Sequence, residues 1–216
     1  MTKGMSMIKG MLVALALFCC WGNVASAQIT MRRVLMAMPD SMAPYLNHSM
    51  MGELVEFAER SGRGEVKNKL EGTTSLDVFS PDYASLSMSQ VAKMEVLFLP
   101  RTLGDTILCV VNTYQGPEPE SVVRFYDPSW KPLSDDGLLA PFDKEALVRK
   151  PDTMAMEEYE RLSRMIDPCL IAASVNPQEK SLTFSLSKPL LSKDDKQALD
   201  AILLQKYVKW DGGTFK

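Results

Sequence analysis

From Thr73 onward, apolar residues recur at every second position. Leu76 and Val78 flank Asp77, Leu86 and Met88 flank Ser87, and Met94, Val96 and Phe98 continue the spacing. Such alternation predicts strands with one dry and one wet face, the pattern of an antiparallel sheet. Phe98 is then a core residue and Glu95 belongs to the wet face. Ser80-Pro81-Asp82 turns between the first two strands, and Ile107–Val111, apolar throughout, predicts a central strand. Gln115-Gly116-Pro117 leads into a strand over 121–127, where Val123 and Phe125 share a face.

Elsewhere the period lengthens to that of a helix. Residues 39–71 read as helical, with Met51, Leu54, Val55 and Ala58 on one face, Ser49 as N-cap and Gly62 as the stop. A shorter turn at 64–70 would bury Val66 and Leu70. A second helix is predicted over 153–167, capped by Asp152 or Thr153, with Ala155, Tyr159, Leu162 and Ile166 aligned. Segments 169–175 and 181–187 pair as a hairpin. Ser192 with Asp195 starts a last helix that buries Leu199, Ile202 and Leu203, and Tyr207–Trp210 returns as an edge strand.

Runs of strands beside helices, without strict βαβ alternation, give an α+β class: a mainly antiparallel sheet with helices packed on one face. The helix-then-strands order occurs at 39–127 and again at 143–187. Two related lobes would divide in the proline-rich connection 128–150, although no residue-level repeat enforces them.

The first 27 residues change the picture. Lys3 and Lys9, an uncharged run from Met11 to Trp21, and Ala25-Ser26-Ala27 have the order of a cleavable export signal. Cleavage after Ala27 leaves residues 28–216 as one α+β domain in the periplasm or on the outer surface. The uncharged run is too short for a lasting membrane anchor, and no later stretch predicts a transmembrane segment. Removing Lys3 and Lys9 from the 24 basic residues leaves 22 against 27 acidic ones, a formal charge of −5. That balance argues against nucleic acid as a partner, which needs clustered Lys and Arg. Lys67-Asn68-Lys69 reads as the solvated face of a short helix.

Of four cysteines, Cys19 and Cys20 leave with the signal. A Cys109–Cys169 disulfide would close a loop of about 60 residues and contribute ~4 kcal/mol on the chain-entropy model. Each cysteine sits in an apolar run, however, so the reading is two buried free thiols.

The single histidine, His48, lies beside a helix start and reads as a cap or loop residue. Without Cys-x-x-Cys or His-x-x-x-His spacing the sequence implies no zinc site and no cofactor. Ser134-Asp135-Asp136-Gly137 departs from calcium-loop spacing and reads as an acidic turn. Two routes to function stay open. Asp40, Asp82, Asp105, Asp127 and Glu158 are available to a carboxylate-dependent hydrolase of glycans, which needs two acids across a cleft. Trp130, Tyr126 and Trp210, near loops or edges with Tyr207, could stack on a sugar or fill a partner's pocket.

Met38-Pro39-Asp40-Ser41 with Pro44-Tyr45-Leu46, Pro81-Asp82-Tyr83-Ala84-Ser85-Leu86, and Arg124-Phe125-Tyr126-Asp127 ahead of Trp130 carry a resemblance. The chain resembles an uncharacterised family of exported bacterial proteins, a domain of unknown function associated with Gram-negative gut-type bacteria. The resemblance implies an exported protein and transfers no catalytic or binding residue. The leading reading is a non-enzymatic binding or interaction module whose partner is an envelope protein or a glycan; the hydrolase is the alternative.

Overall fold

The computed structural model describes residues 29–216 apart from Pro189; the export signal read at 1–27 lies outside the described residues. Six strands form one antiparallel sheet in chain order: β1 (Gly64–Lys67), β2 (Thr73–Phe79), β3 (Tyr83–Ser89), β4 (Ala92–Pro100), β5 (Thr106–Gln115) and β6 (Pro119–Tyr126). A second antiparallel sheet holds β7 (Ile171–Asn176), β8 (Ser181–Leu186) and β9 (Gln205–Lys209). The α+β class and the antiparallel pairing are those the alternation predicts.

Two helices precede the large sheet, α1 (Met31–Met36) and α2 (His48–Ser61). The helix expected over 39–71 is therefore shorter, because Pro39 and Pro44 occupy turns and the Asn47 side chain, not Ser49, accepts the Met50 amide at 2.9 Å. Gly62 ends α2 in the left-handed conformation, with φ +80°. The segment after it is strand β1 and a loop rather than a helical turn. Val66 is buried there, but Leu70 projects into solvent.

α1 and α2 cover one face of the sheet. Met31, Leu35, Leu54 and Val55 pack with Leu76, Leu86, Met94, Val96, Phe98 and Val110 in a first core. The predicted partnership of Leu76 with Val78 fails at a β-bulge. Register slips between them, so Leu76 is buried while Val78 is exposed.

The other face is also covered, which the alternation did not anticipate. β7 lies against β6 and β5. Leu182, Phe184, Leu186 and Val208 bury Leu97, Leu99, Ile107, Cys109 and Phe125 in a second core. From Met94 to Leu99 strand β4 is thus buried on both faces, and Glu95, expected on a wet face, is 5% exposed. α3 (Met156–Arg164) and α4 (Lys193–Leu199) close this side through Leu162 and Leu199. α3 starts later than expected, at Met156 and behind the N-cap Ala155, which makes no side-chain cap bond, whereas Ser192 caps α4 by accepting the Asp195 amide at 3.1 Å. The connection 128–150 contains one short 3-10 turn (Lys144–Leu147) and contributes Trp130 to the first core and Leu147 to the second.

Among the described residues, no helix is long and apolar enough to cross a membrane. Cys109 and Cys169 are both free. Cys109 is buried as expected; Cys169, just before β7, is exposed, because its neighbours Asp167 and Pro168 lie at the surface too.

Candidate functional site

The connection from β1 to β2 is built around one buried amide. Asn68, in a segment read from sequence as a solvated helix face, is 6% exposed. Its Oδ1 accepts the Leu70 and Gly72 amides at 3.0 and 3.1 Å, and its Nδ2 donates to Thr74 Oγ1 at 3.2 Å. The Lys69 amide donates to the Tyr45 carbonyl at 2.9 Å, tying the loop to the segment before α2. Glu71 takes φ +59° at the tip. These bonds fix the loop with Leu70 pointing outward, 70% exposed.

Across from it, the β3–β4 turn presents a second apolar side chain, Val91, 56% exposed. Ser89 Oγ accepts the Val91 amide, and the Val91 carbonyl accepts the Gln115 amide at 2.8 Å. Tyr114 is exposed beside this turn. Between loop and turn lies an open groove of about 640 Å³, lined by Tyr45, Leu70 and Val91 with the polar side chains of Asn68, Thr73 and Gln90. Its size falls in the range of ligand sites. The sequence hides this groove: an apolar Leu70 reads as a core residue, although Glu71-Gly72 after it is a turn signal.

The opposite face of the sheet carries a polar row. Register aligns Glu65, Ser75, Ser87, Lys93, Thr113 and Ser121 across all six strands. Asp77, in the bulge, accepts Ser75 Oγ at 2.8 Å and Ser87 Oγ at 2.5 Å and lies 3.4 Å from Arg63 Nε. Glu95 pairs with Lys93 at 3.1 Å and accepts the Tyr83 hydroxyl at 2.5 Å. Burial, then the Glu95 hydrogen bond and charge, push the Tyr83 phenol well above its usual range. The row ends under the second sheet, where Ser121 Oγ accepts the Ala173 amide at 2.9 Å. Arg63 faces both Glu65 and Asp77, and Lys93 faces Glu95, so each charge of the row has a partner, and the row joins the two sheets rather than offering a free reactive group.

The aromatic candidates do not converge. Trp130 is 5% exposed in the helix-side core, its indole N–H donating to the Val34 carbonyl at 2.8 Å. Tyr126 packs beside it at 5.6 Å between ring centroids. Trp210 is 7% exposed in the other core and donates to the Pro100 carbonyl at 2.7 Å. Both tryptophans close ends of cores with their polar edge bonded to backbone, which leaves no flat ring for stacking.

The nominated carboxylates are equally dispersed. Asp82 pairs with Lys180, Asp105 with Arg101 and Glu158 with Arg161, while Asp127 accepts the Ser129 and Lys131 amides. The Ser129 hydroxyl holds Asp127 below its ordinary value, and arginine hydrogen bonds do the same for Asp105 and Glu158. A glycosidase acid needs a shift in the other direction.

With this geometry in view, a family model described as a protein of unknown function (DUF3256) matches residues 23–215. The chain belongs to the DUF3256 family. The fold of this DUF3256 protein is similar to the solved structure of a domain of an uncharacterized protein from Porphyromonas gingivalis W83. The similarity has a TM-score of 0.73 at 20% sequence identity and covers 86% of this chain and 98% of that one. No curated protein matches the chain.

Proposed function

We propose that this DUF3256 protein is exported, with its signal removed after Ala27, and acts in the cell envelope as a non-enzymatic binding module whose groove takes a polypeptide partner. The carrying observation is Leu70, held outward by a loop whose hydrogen bonds are already made. Holding leucine in water on a fixed loop forgoes about 2 kcal/mol of burial, and a partner that covers it recovers that free energy without a further ordering cost. Val91 and Tyr114 extend the apolar contact, and Thr73 and Gln90 supply polar groups around it. A glycan is less well served, because the indoles suited to sugar stacking are inside.

The test combines address and contact. N-terminal sequencing of the cellular protein is expected to start at or near Gln28. A photo-crosslinking residue at position 70 or 91 should yield one and the same protein adduct in cells, absent when the probe sits at Gln178 and lost from position 91 when Leu70 is Asp. An intact Met1, or adducts no different from those at Gln178, would overturn the proposal. An adduct containing glycan alone would transfer it to the sugar reading.

A further inference from the structure

The junction of α1 and α2 gathers donors that a search for cysteine and histidine spacing passes over. His48, Met51 and Gly52 are spaced i, i+3, i+4 along α2 and therefore share one face. Gly52 leaves room on that face, and Met36, the last residue of α1, occupies it. A Cβ placed on Gly52 would lie 3.6 Å from Met36 Cε and 3.9 Å from Met36 Sδ. The thioether thus lies against the turn that carries the imidazole. Met36, Met38, Asp40, His48 and Met51 all line a single small cavity of about 20 Å³. That is room for about one water molecule or one ion. Of these, Met51 is buried, while Asp40 and His48 are exposed.

We infer that this junction binds one monovalent soft cation of the Cu(I) class, through the thioethers of Met36, Met38 and Met51 and the imidazole of His48. Thioethers are neutral, polarisable donors that select Cu(I), whereas zinc sites draw on thiolate, imidazole and carboxylate. Asp40, exposed and lining the same cavity, supplies a negative charge to balance the ion. Thioether donors also suit an exported protein, since thiolates in an oxidising compartment are consumed as disulfides.

Silver(I) is the probe, a soft monovalent ion that needs no reductant. The chain from Gln28 is used with Cys169→Ser, which removes the exposed thiol that would compete. One equivalent of Ag(I) is expected to bind and to shift the ring resonances of His48, while Zn(II) at the same concentration does neither. Met36→Leu, Met51→Leu and His48→Gln should each weaken Ag(I) binding about tenfold or more. Met156→Leu, on exposed α3, should leave it unchanged. Leucine is close to methionine in volume, so the fold is retained; should Met51→Leu unfold, the two more exposed positions carry the test. Absence of a His48 shift, affinity unchanged in Met36→Leu and His48→Gln, or equal response to Zn(II) would overturn the assignment.

Discussion

Tyr83 donates its hydroxyl to Glu95 at 2.5 Å, on the sheet face that the second sheet covers, and Lys93 completes the pairing of that carboxylate. Tyr83 opposes Leu97 across the β3–β4 ladder and Glu95 opposes Ser85, so the two side chains meet diagonally on one face. A buried carboxylate is tolerated here because both a hydroxyl and an ammonium reach it.

Glu95→Lys should therefore be strongly destabilising, by about 3–5 kcal/mol, because it buries an uncompensated ammonium beside Lys93. Tyr83→Phe should cost about 1–3 kcal/mol. Phe98→Asp, on the helix-side face, should be as damaging as Glu95→Lys, and Gln178→Lys in the exposed β7–β8 turn nearly silent. Thermal melts of the four variants decide this. A Glu95→Lys midpoint equal to that of Gln178→Lys would mean the second sheet does not cover β4.

The backbones of α2 and β1 touch. A Cβ on Gly64 would collide with the Leu54 carbonyl oxygen and sit 3.0 Å from its carbon, neither of which can rotate away. Gly64→Ala should cost about 3 kcal/mol, the upper end of overpacking. Gly62→Ala meets open space and bears only the left-handed strain of about 1–2 kcal/mol. Urea midpoints of the two variants should fall in that order.

The two thiols should react very differently. Burial, then the nearby Glu95 and Asp135 charges, push the Cys109 thiol far up, whereas Cys169 lies at the surface. In the chain from Gln28, maleimide should label one thiol natively and two after unfolding. A mass two protons lower than that of the reduced protein would instead reveal a bridge.

Stability should fall at both ends of the pH scale. Asp211, bonded by the Lys216 ammonium and by the Thr214 and Gly213 amides, is held at about 2 against an ordinary 3.8. A lowered carboxyl contributes above its unfolded value and loses that contribution as pH falls from about 4 towards 2. Tyr83 behaves in the opposite sense: its native value lies above the ordinary 10.0, so its contribution is complete below pH 10 and declines as pH rises beyond it. Denaturation series should show Asp211→Asn flattening the acid limb and Tyr83→Phe the alkaline one.

Local chemistry alone determined much of this molecule. Alternation at Met94, Val96 and Phe98 and at Leu182, Phe184 and Leu186 set which side chains of those strands face a core, because strand geometry sends every second residue to the same side. Ser192 with Asp195, and Gly62, marked helix ends because the groups that satisfy terminal amides and carbonyls lie within a turn of them. What covers the other side of the sheet was decided only in three dimensions. Glu95 looks solvated from its neighbours in sequence, and its partner Tyr83 lies twelve residues away across a ladder. Likewise the bulge at Asp77 moved Val78 out of the core, and the bonds of Asn68 turned Leu70 outward. The groove and the α1–α2 junction join segments whose spacing carries no periodic signal: strand pairing sets the β1–β2 loop beside the β3–β4 turn, and packing on the large sheet sets α1 against α2.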